Sequence, residues 1–261
     1  MYTLGIDIGS TTSKCAVIQD GTKLTATSLQ TGGLGTGGPE DALAELWSSS
    51  GLTASDMART IVTGYGRKNY EGADGEISEL TAHALGGRFV FPDLRTVIDI
   101  GGQDAKVIAL SPSGKMVNFV MNDKCAAGTG RFLEVMARVL DCPIQGLSDL
   151  AGQGERPVSI SNLCTVFAES EVISHLSAGA SQANVAAGAI ASIATRIVGM
   201  AGRVGVVPQV VMTGGGALNG ALVEALSRNL GHPVQVLGNP QVMGALGAAV
   251  FARESARKKK G

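Results

Sequence analysis

The chain has 261 residues, of which 44 % are hydrophobic and 16 % charged, with a formal net charge of −1. That length buries a substantial core, as one large α/β domain or two smaller lobes, and the composition excludes a disordered chain. The near-neutral charge excludes a global field for capturing nucleic acid, and no run of about 18 apolar residues marks a membrane span. Residues 3–8 predict a strand that starts at once, with Asp7 breaking any leader-like apolar stretch, so a cytoplasmic protein is expected. A second strand is predicted at 14–19 after the Gly9–Ser13 turn, and a third near 23–30 across the Asp20-Gly21 hairpin signal. Gly33, Gly35 and Gly38 have the spacing of a dinucleotide fingerprint. They end a hairpin meander instead of opening a βαβ unit, and so predict a flexible loop.

A helix at 39–50 opens on Pro39 and stops at Gly51, followed by a short strand at 61–63 and a helix at 76–87. The pattern then restarts. Strands are predicted at 96–100, 105–110 and 116–121, and helices at 129–140, 165–177 and 183–203. A strand at 209–213 runs into Gly214-Gly215-Gly216, then come a helix, a short strand near 233–237 and a last helix at 241–256. Three hairpin-joined strands followed by helices thus occur twice, a duplicated architecture. The one charge run, Arg257-Lys258-Lys259-Lys260, reads as a solvated chain end.

Each half opens with a strand that ends in Asp-x-Gly, at Asp7-Ile8-Gly9 and Asp99-Ile100-Gly101. An aspartate in that place reaches a Mg²⁺ ion or its waters, while the amides of the turn face phosphate oxygens. Ser10, Thr11 and Thr12 add hydroxyls, and Lys14 adds a positive charge. Gln103 and Asp104 follow the second turn, where a side chain that orients an attacking water belongs, with Gln103 the first candidate. No Walker A motif occurs, because no Gly precedes Lys14 and no Ser or Thr follows it.

The segments Asp7–Lys14, Asp99–Asp104 and Val210–Gly216 resemble the phosphate-1, phosphate-2 and adenosine motifs of the ASKHA ATPases, the superfamily of actin, Hsp70 chaperones and sugar kinases. The resemblance implies an α/β fold of two ribonuclease-H-like lobes around a nucleotide cleft. The lobes expected are 1–93, to which the helix 241–256 returns, and 94–240. ATP or ADP is then held by Gly9–Thr12, Lys14, Gly101, Gly102, Gly214, Gly215 and Gly216, with Asp7 and Asp99 near Mg²⁺.

Of four cysteines, Cys15 sits inside a predicted strand and Cys142 follows a helix, as small core residues do. Cys125 and Cys164 precede predicted helices, where the macrodipole favours an anion such as a thiolate-bound cluster. In a reducing compartment these thiols are not expected to pair as disulfides. Two thiolates fall short of a four-cysteine cluster, a count that a two-fold dimer completes. Two inert thiols fit the placement equally well, and a site drawn from all four cysteines would have to pull Cys15 out of its hairpin.

The segments Thr63–Arg67, Asp99–Asp104, Asn122–Arg131 and Cys164–Val172 are similar to the activator component of 2-hydroxyacyl-CoA dehydratases, with the ATPase subunits of benzoyl-CoA reductases as near relatives. This resemblance implies a homodimer holding one [4Fe–4S] cluster on Cys125 and Cys164 of each copy. It also implies an electron received from ferredoxin or flavodoxin and passed, under ATP, to a dehydratase or reductase component. Glu169 and Glu171 follow Cys164 and read as a solvated helix face first, or as residues that tune the cluster or contact a partner. The three histidines, among them His83, show no ligand spacing and read as plain helix or loop residues. A small-molecule kinase on the same fold would need an aspartate base that the chain does not place, and a chaperone would need a substrate domain.

Overall fold

The computed structural model describes residues 1–161 and 164–258, so Lys259 and Lys260 of the basic tail lie outside the described residues. The chain forms two compact units. One comprises Met1–Leu94, Pro112–Met116 and the stretch from Leu237 onward, the other Arg95–Ser111 and Val117–Val236.

In the first unit, β1 (Tyr2–Ile8), β2 (Thr12–Gln19), β3 (Lys23–Thr31) and β4 (Met57–Thr63) form a sheet of order β3-β2-β1-β4, with β4 parallel to β1 and the other neighbours antiparallel. Successive side chains of β2 face opposite ways, and both faces are covered. Cys15 and Val17 pack with Leu46 of α1 (Gly38–Ser50), while Ala16 and Ile18 pack with Met243, Leu246 and Ala249 of the chain's last helix, α8 (Met243–Lys258). Pro39 at the start of α1, Glu40 and Asp41 in its first turn, and left-handed Gly51 after its end account for its bounds. The helix predicted at 76–87 is α2 (Glu79–Val90). Its start is set by Ser78, whose hydroxyl accepts from the Thr81 amide at 3.2 Å.

The second unit repeats the plan. Strands β5 (Thr96–Ile100), β6 (Ala105–Leu110), β7 (Met116–Asn122), β8 (Val210–Thr213) and β9 (Val234–Gln235) run in the order β7-β6-β5-β8-β9, with β8 parallel to β5. Five helices accompany this sheet: α3 (Gly130–Val139), α4 (Leu147–Gly152), α5 (Thr165–Ser177), α6 (Gln182–Val204) and α7 (Gly220–Leu230). The short α4 has no counterpart in the predicted elements.

Helix α6 overturns one expectation, because with 23 residues and a mean hydropathy of 1.5 it is long and apolar enough to cross a membrane. Its window is 61 % buried, and Val185, Ala189, Ile193 and Ile197 lie in the core of the second unit with Val107, Ile98 and Met212. It is apolar because it packs on a sheet and against α4 and α7, as a core helix does.

Candidate functional site

The two Asp-x-Gly strands carry the same set of partners. Asp7 faces Lys14 in the β1–β2 ladder and Thr63 in the β1–β4 ladder. Asp99 faces Lys106 in the β5–β6 ladder and Thr213 in the β5–β8 ladder. A glycine with positive φ follows each threonine, Gly64 at +88° and Gly214 at +81°. A Cβ at Gly64 would collide with Asp7 and the Ile8 carbonyl, and one at Gly214 with Asp99 and the Ile100 carbonyl. Only glycine lets these turns lie against the aspartate strands. Thr63-Gly64-Tyr65-Gly66 is therefore the first unit's counterpart of Thr213-Gly214-Gly215-Gly216.

Both hairpin turns close alike. The Gly9 amide donates to the Thr12 carbonyl at 3.0 Å, and the Gly101 amide donates to the Asp104 carbonyl at 2.9 Å. The expected phosphate-facing amides of Gly9 and Gly101 are thus spent on the turn, which leaves Ser10–Thr11 and Gly102–Gln103 at the two tips. The glycine-rich segment expected as a flexible loop is strapped to the first turn. The Gly32 amide donates to the Thr11 carbonyl at 2.9 Å, the Leu34 amide to the Gly9 carbonyl at 3.1 Å, and the Ser13 hydroxyl to the Gly32 carbonyl at 2.8 Å.

The two carboxylates differ in how they are held. Asp99 and Lys106 are each 2 % exposed, with Lys106 Nζ 2.9 Å from Asp99 Oδ2. Thr213 donates to the other oxygen of Asp99 at 2.8 Å. Lys106 also binds Asp104, so the carboxylate expected to help orient water is committed to an ion pair, while Gln103 stands exposed at the tip. Asp7 has a looser partner in Lys14, whose Nζ is 3.6 Å away and also 3.4 Å from the Thr12 carbonyl. The Thr63 hydroxyl is buried and, among the described residues, has no hydrogen-bond partner.

Sequence reasoning missed Lys106 and Thr63. The available signal was the repeat itself, since Lys106 stands to Asp99 as Lys14 stands to Asp7. His83 was also passed over as a plain helix residue. A Cβ on Gly244 would come 2.6 Å from Asp7 Oδ2 and 3.2 Å from His83 Nε2, so the buried histidine borders the Asp7 carboxylate. A hard cation takes carboxylate oxygens and waters. A loosely held Asp7 beside an unused hydroxyl fits such an ion, and Asp99, with both oxygens engaged, fits it less well.

The cysteines separate into two kinds. Burial pushes the Cys15 thiol up to about 12, with Asp7 and Glu45 adding to the shift, and burial followed by Asp141 raises Cys142. Neither favours a thiolate. Cys164, partly exposed, is the N-cap residue of α5, as expected. Cys125, also partly exposed, lies one turn ahead of α3 and not at its first turn, because Ala126–Thr129 intervene. The Asn122 amide fixes this turn by donating to the carbonyls of Cys125 at 2.8 Å and Ala127 at 3.0 Å.

The first two amides of α3 are already used. Gly130 donates to the Gly101 carbonyl and Arg131 to the Gly102 carbonyl, both at 2.8 Å. The second phosphate turn is thereby bonded directly to the helix that follows Cys125. Glu169 and Glu171, expected on a solvated face, are both engaged. Glu169 pairs with Arg138 of α3 at 3.1 Å, and Glu171 accepts from the Ser161 amide at 2.6 Å. Among the described residues no group of three or more His, Cys, Asp or Glu side chains gathers around a metal-sized space. Cys125 and Cys164 are the partly exposed thiols that stand ahead of helices, and their chemistry suits thiolate ligation.

Residues 4–252 match the model of the BadF/BadG/BcrA/BcrD ATPase family. The chain is 51 % identical over 259 residues to the activator of lactoyl-CoA dehydratase from Anaerotignum propionicum, an alignment covering 99 % of this chain and 100 % of that one. It resembles the structure of the activator of the 2-hydroxyisocaproyl-CoA dehydratase from Clostridium difficile with bound ADPNP. There the TM-score is 0.96 at 47 % identity, covering 100 % of this chain and 97 % of that chain. A ROK family glucokinase from Streptomyces griseus shares the fold alone, with a TM-score of 0.60 at 13 % identity, covering 97 % of this chain and 100 % of that chain. The fold is therefore the expected ASKHA type. With the duplicated Asp–Lys–Thr hairpins and a match along nearly its whole length, the chain belongs to the BadF/BadG/BcrA/BcrD ATPase family.

Proposed function

We propose that this protein is the ATP-hydrolysing activator of a 2-hydroxyacyl-CoA dehydratase, passing a low-potential electron from ferredoxin or flavodoxin to the dehydratase component through one [4Fe–4S] cluster per homodimer. The observation that carries the reading is the placement of Cys125 and Cys164. They are two partly exposed thiols of the same unit, one ahead of α3 and the other capping α5, and among the described residues no group of three or more His, Cys, Asp or Glu side chains gathers with them. The half-identical, full-length relatives named as dehydratase activators support the partner class. Val166, Phe167 and Ile173 of α5 stand exposed just beyond Cys164, apolar surface of the kind that a second copy or a partner covers. A kinase reading has only the distant fold likeness behind it.

In this reading the Asp7–Lys14 and Asp99–Lys106 hairpins serve the phosphates and Mg²⁺, the turn Gly214–Gly216 serves the adenosine, and Gln103 orients the attacking water. Lys14 is the cation free to turn toward a phosphate, because its hold on Asp7 is long. Lys14→Ala is expected to lower ATP hydrolysis by about a hundredfold while fold and iron content persist. Undiminished hydrolysis removes Lys14 from the site.

Coupling follows from the bonds of Gly130 and Arg131 to the Gly101 and Gly102 carbonyls. A shift of the second phosphate turn displaces the start of α3, and with it the turn that holds Cys125. Cys125 and Cys164 would hold the cluster, which would supply one-electron storage, and moving the Cys125 turn relative to the start of α5 that Cys164 caps would change its potential. A change of about 0.3–2 kcal/mol per helix end corresponds to tens of mV up to ~100 mV, at ~59 mV per tenfold for one electron. Redox titration with ADP and with a non-hydrolysable ATP analogue, alongside EPR, checks this. Identical potential, spectrum and chelator access in both states mean that nucleotide is not coupled to the cluster. The direct test of the whole reading is anaerobic purification, with iron and acid-labile sulfide counted per two chains.

A further inference from the structure

The duplicated sheets offer an internal comparison. Thr63 and Thr213 occupy the same register position beside an aspartate, both fully buried, and each precedes a glycine with positive φ. Side chains at paired positions of parallel strands lie on one face of the sheet, which is why Thr213 reaches Asp99. Thr213 spends its hydroxyl on Asp99 at 2.8 Å, whereas the Thr63 hydroxyl has no partner among the described residues. A buried hydroxyl without a partner is costly, so its retention needs a use. The neighbouring carboxylate has capacity to accept it. Asp7 is held by Lys14 at 3.6 Å, while Asp99 is gripped at 2.9 Å by Lys106 and again by Thr213.

We propose that Thr63 is a positioning residue for Asp7, donating its hydroxyl to that carboxylate when nucleotide and a divalent cation bind, and that Asp7, not Asp99, is the aspartate that serves the cation. The inference rests on the nucleotide reading above. As Lys14 turns to a phosphate, Asp7 loses that cationic partner, and Thr63 then fixes the carboxylate so that an oxygen faces the ion. Gly64 and Gly244, which crowd the carboxylate from two sides, limit the positions it can take. Asp99 needs no such help, because Lys106 neutralises it and Thr213 already orients it.

The test uses the full chain, purified anaerobically, with ADP and Mn²⁺ as probes and the variants Thr63→Val, Thr63→Ser and Thr213→Val. Thr63→Val is expected to bind ADP in EDTA as the unsubstituted protein does, yet to lose about tenfold or more in Mn²⁺ affinity when ADP is present, read by EPR of the free ion. Thr63→Ser, which keeps the hydroxyl, restores most of that affinity. In the absence of nucleotide and metal, Thr63→Val melts no lower than the unsubstituted protein, because no bond is lost, whereas Thr213→Val melts several degrees lower. Unchanged Mn²⁺ affinity in Thr63→Val overturns the proposal. So does a Thr63→Ser variant as weak as Thr63→Val, or a Thr63→Val variant that melts well below the unsubstituted protein. If the unsubstituted protein itself fails to bind Mn²⁺ with ADP, the nucleotide reading falls and the proposal falls with it.

Discussion

Cys125→Ser and Cys164→Ser are each expected to strip iron from the anaerobically purified protein, whereas Cys15→Ser and Cys142→Ser are expected to keep it. The thiolate is the ligand form of cysteine, and a serine hydroxyl does not ionise at neutral pH to replace it. In a cluster shared about a two-fold axis, one substitution removes two ligands of four, so the loss is close to complete. Cys15 of β2 is fully buried under α1, and its thiol is pushed up to about 12, so it supplies no thiolate. Its replacement puts a more polar hydroxyl at a fully buried position beside Ser28 and costs about 1–3 kcal/mol of stability without touching iron. Iron and sulfide counts on the four variants, with gel filtration of each, decide the matter. A monomer that keeps four irons refutes the shared-ligand reading, and loss of iron from Cys15→Ser alone would move the site to the first hairpin.

Lys106→Ala is expected to destabilise the second unit by about 3–5 kcal/mol, because it leaves Asp99 and Asp104 without their common cation. Asp99 is 2 % exposed, so water does not compensate it. For a domain of this size the loss lowers Tm by roughly 6–20 °C. Lys14→Ala provides the contrast. The Lys14–Asp7 distance is 3.6 Å and the lysine is 13 % exposed, so its removal costs activity with little change in melting. Thermal unfolding of both variants, followed by circular dichroism, checks the difference. A Lys106→Ala protein that melts within two or three degrees of the unsubstituted chain shows the buried triad to be dispensable for stability.

The elements themselves were legible in the sequence. Strands such as Thr96–Ile100 and Ala105–Leu110 stand where the run of apolar residues and the glycine turn place them. Gly51 and Ser78 mark a helix end and a helix start through local backbone chemistry. The duplication was legible for the same reason, since hairpin turns and strand periodicity are properties of neighbouring residues. The short α4 was not legible, because six residues carry too little periodicity to stand out from a loop.

What only the tertiary structure decided concerns partners far apart in the chain. Lys106 looked like one more residue of an apolar strand until the ladder set it against Asp99 and the turn brought Asp104 over it. Thr63 acquired meaning only beside Asp7, and through comparison with Thr213, a residue 114 positions from its own aspartate. The glycines at 32–38 suggested mobility, since glycine loosens an isolated chain, yet their amides and carbonyls are tied to the first phosphate turn. The α3 amides, expected to face an anion, face the carbonyls of Gly101 and Gly102. The sequence by itself determined which residues carry charge, hydroxyl and thiol, and which segments become strand or helix, because those depend on local preference. Which of those groups are spent on one another and which remain available was decided by the fold, because hydrogen bonds and ion pairs are set by distances that a linear sequence does not contain.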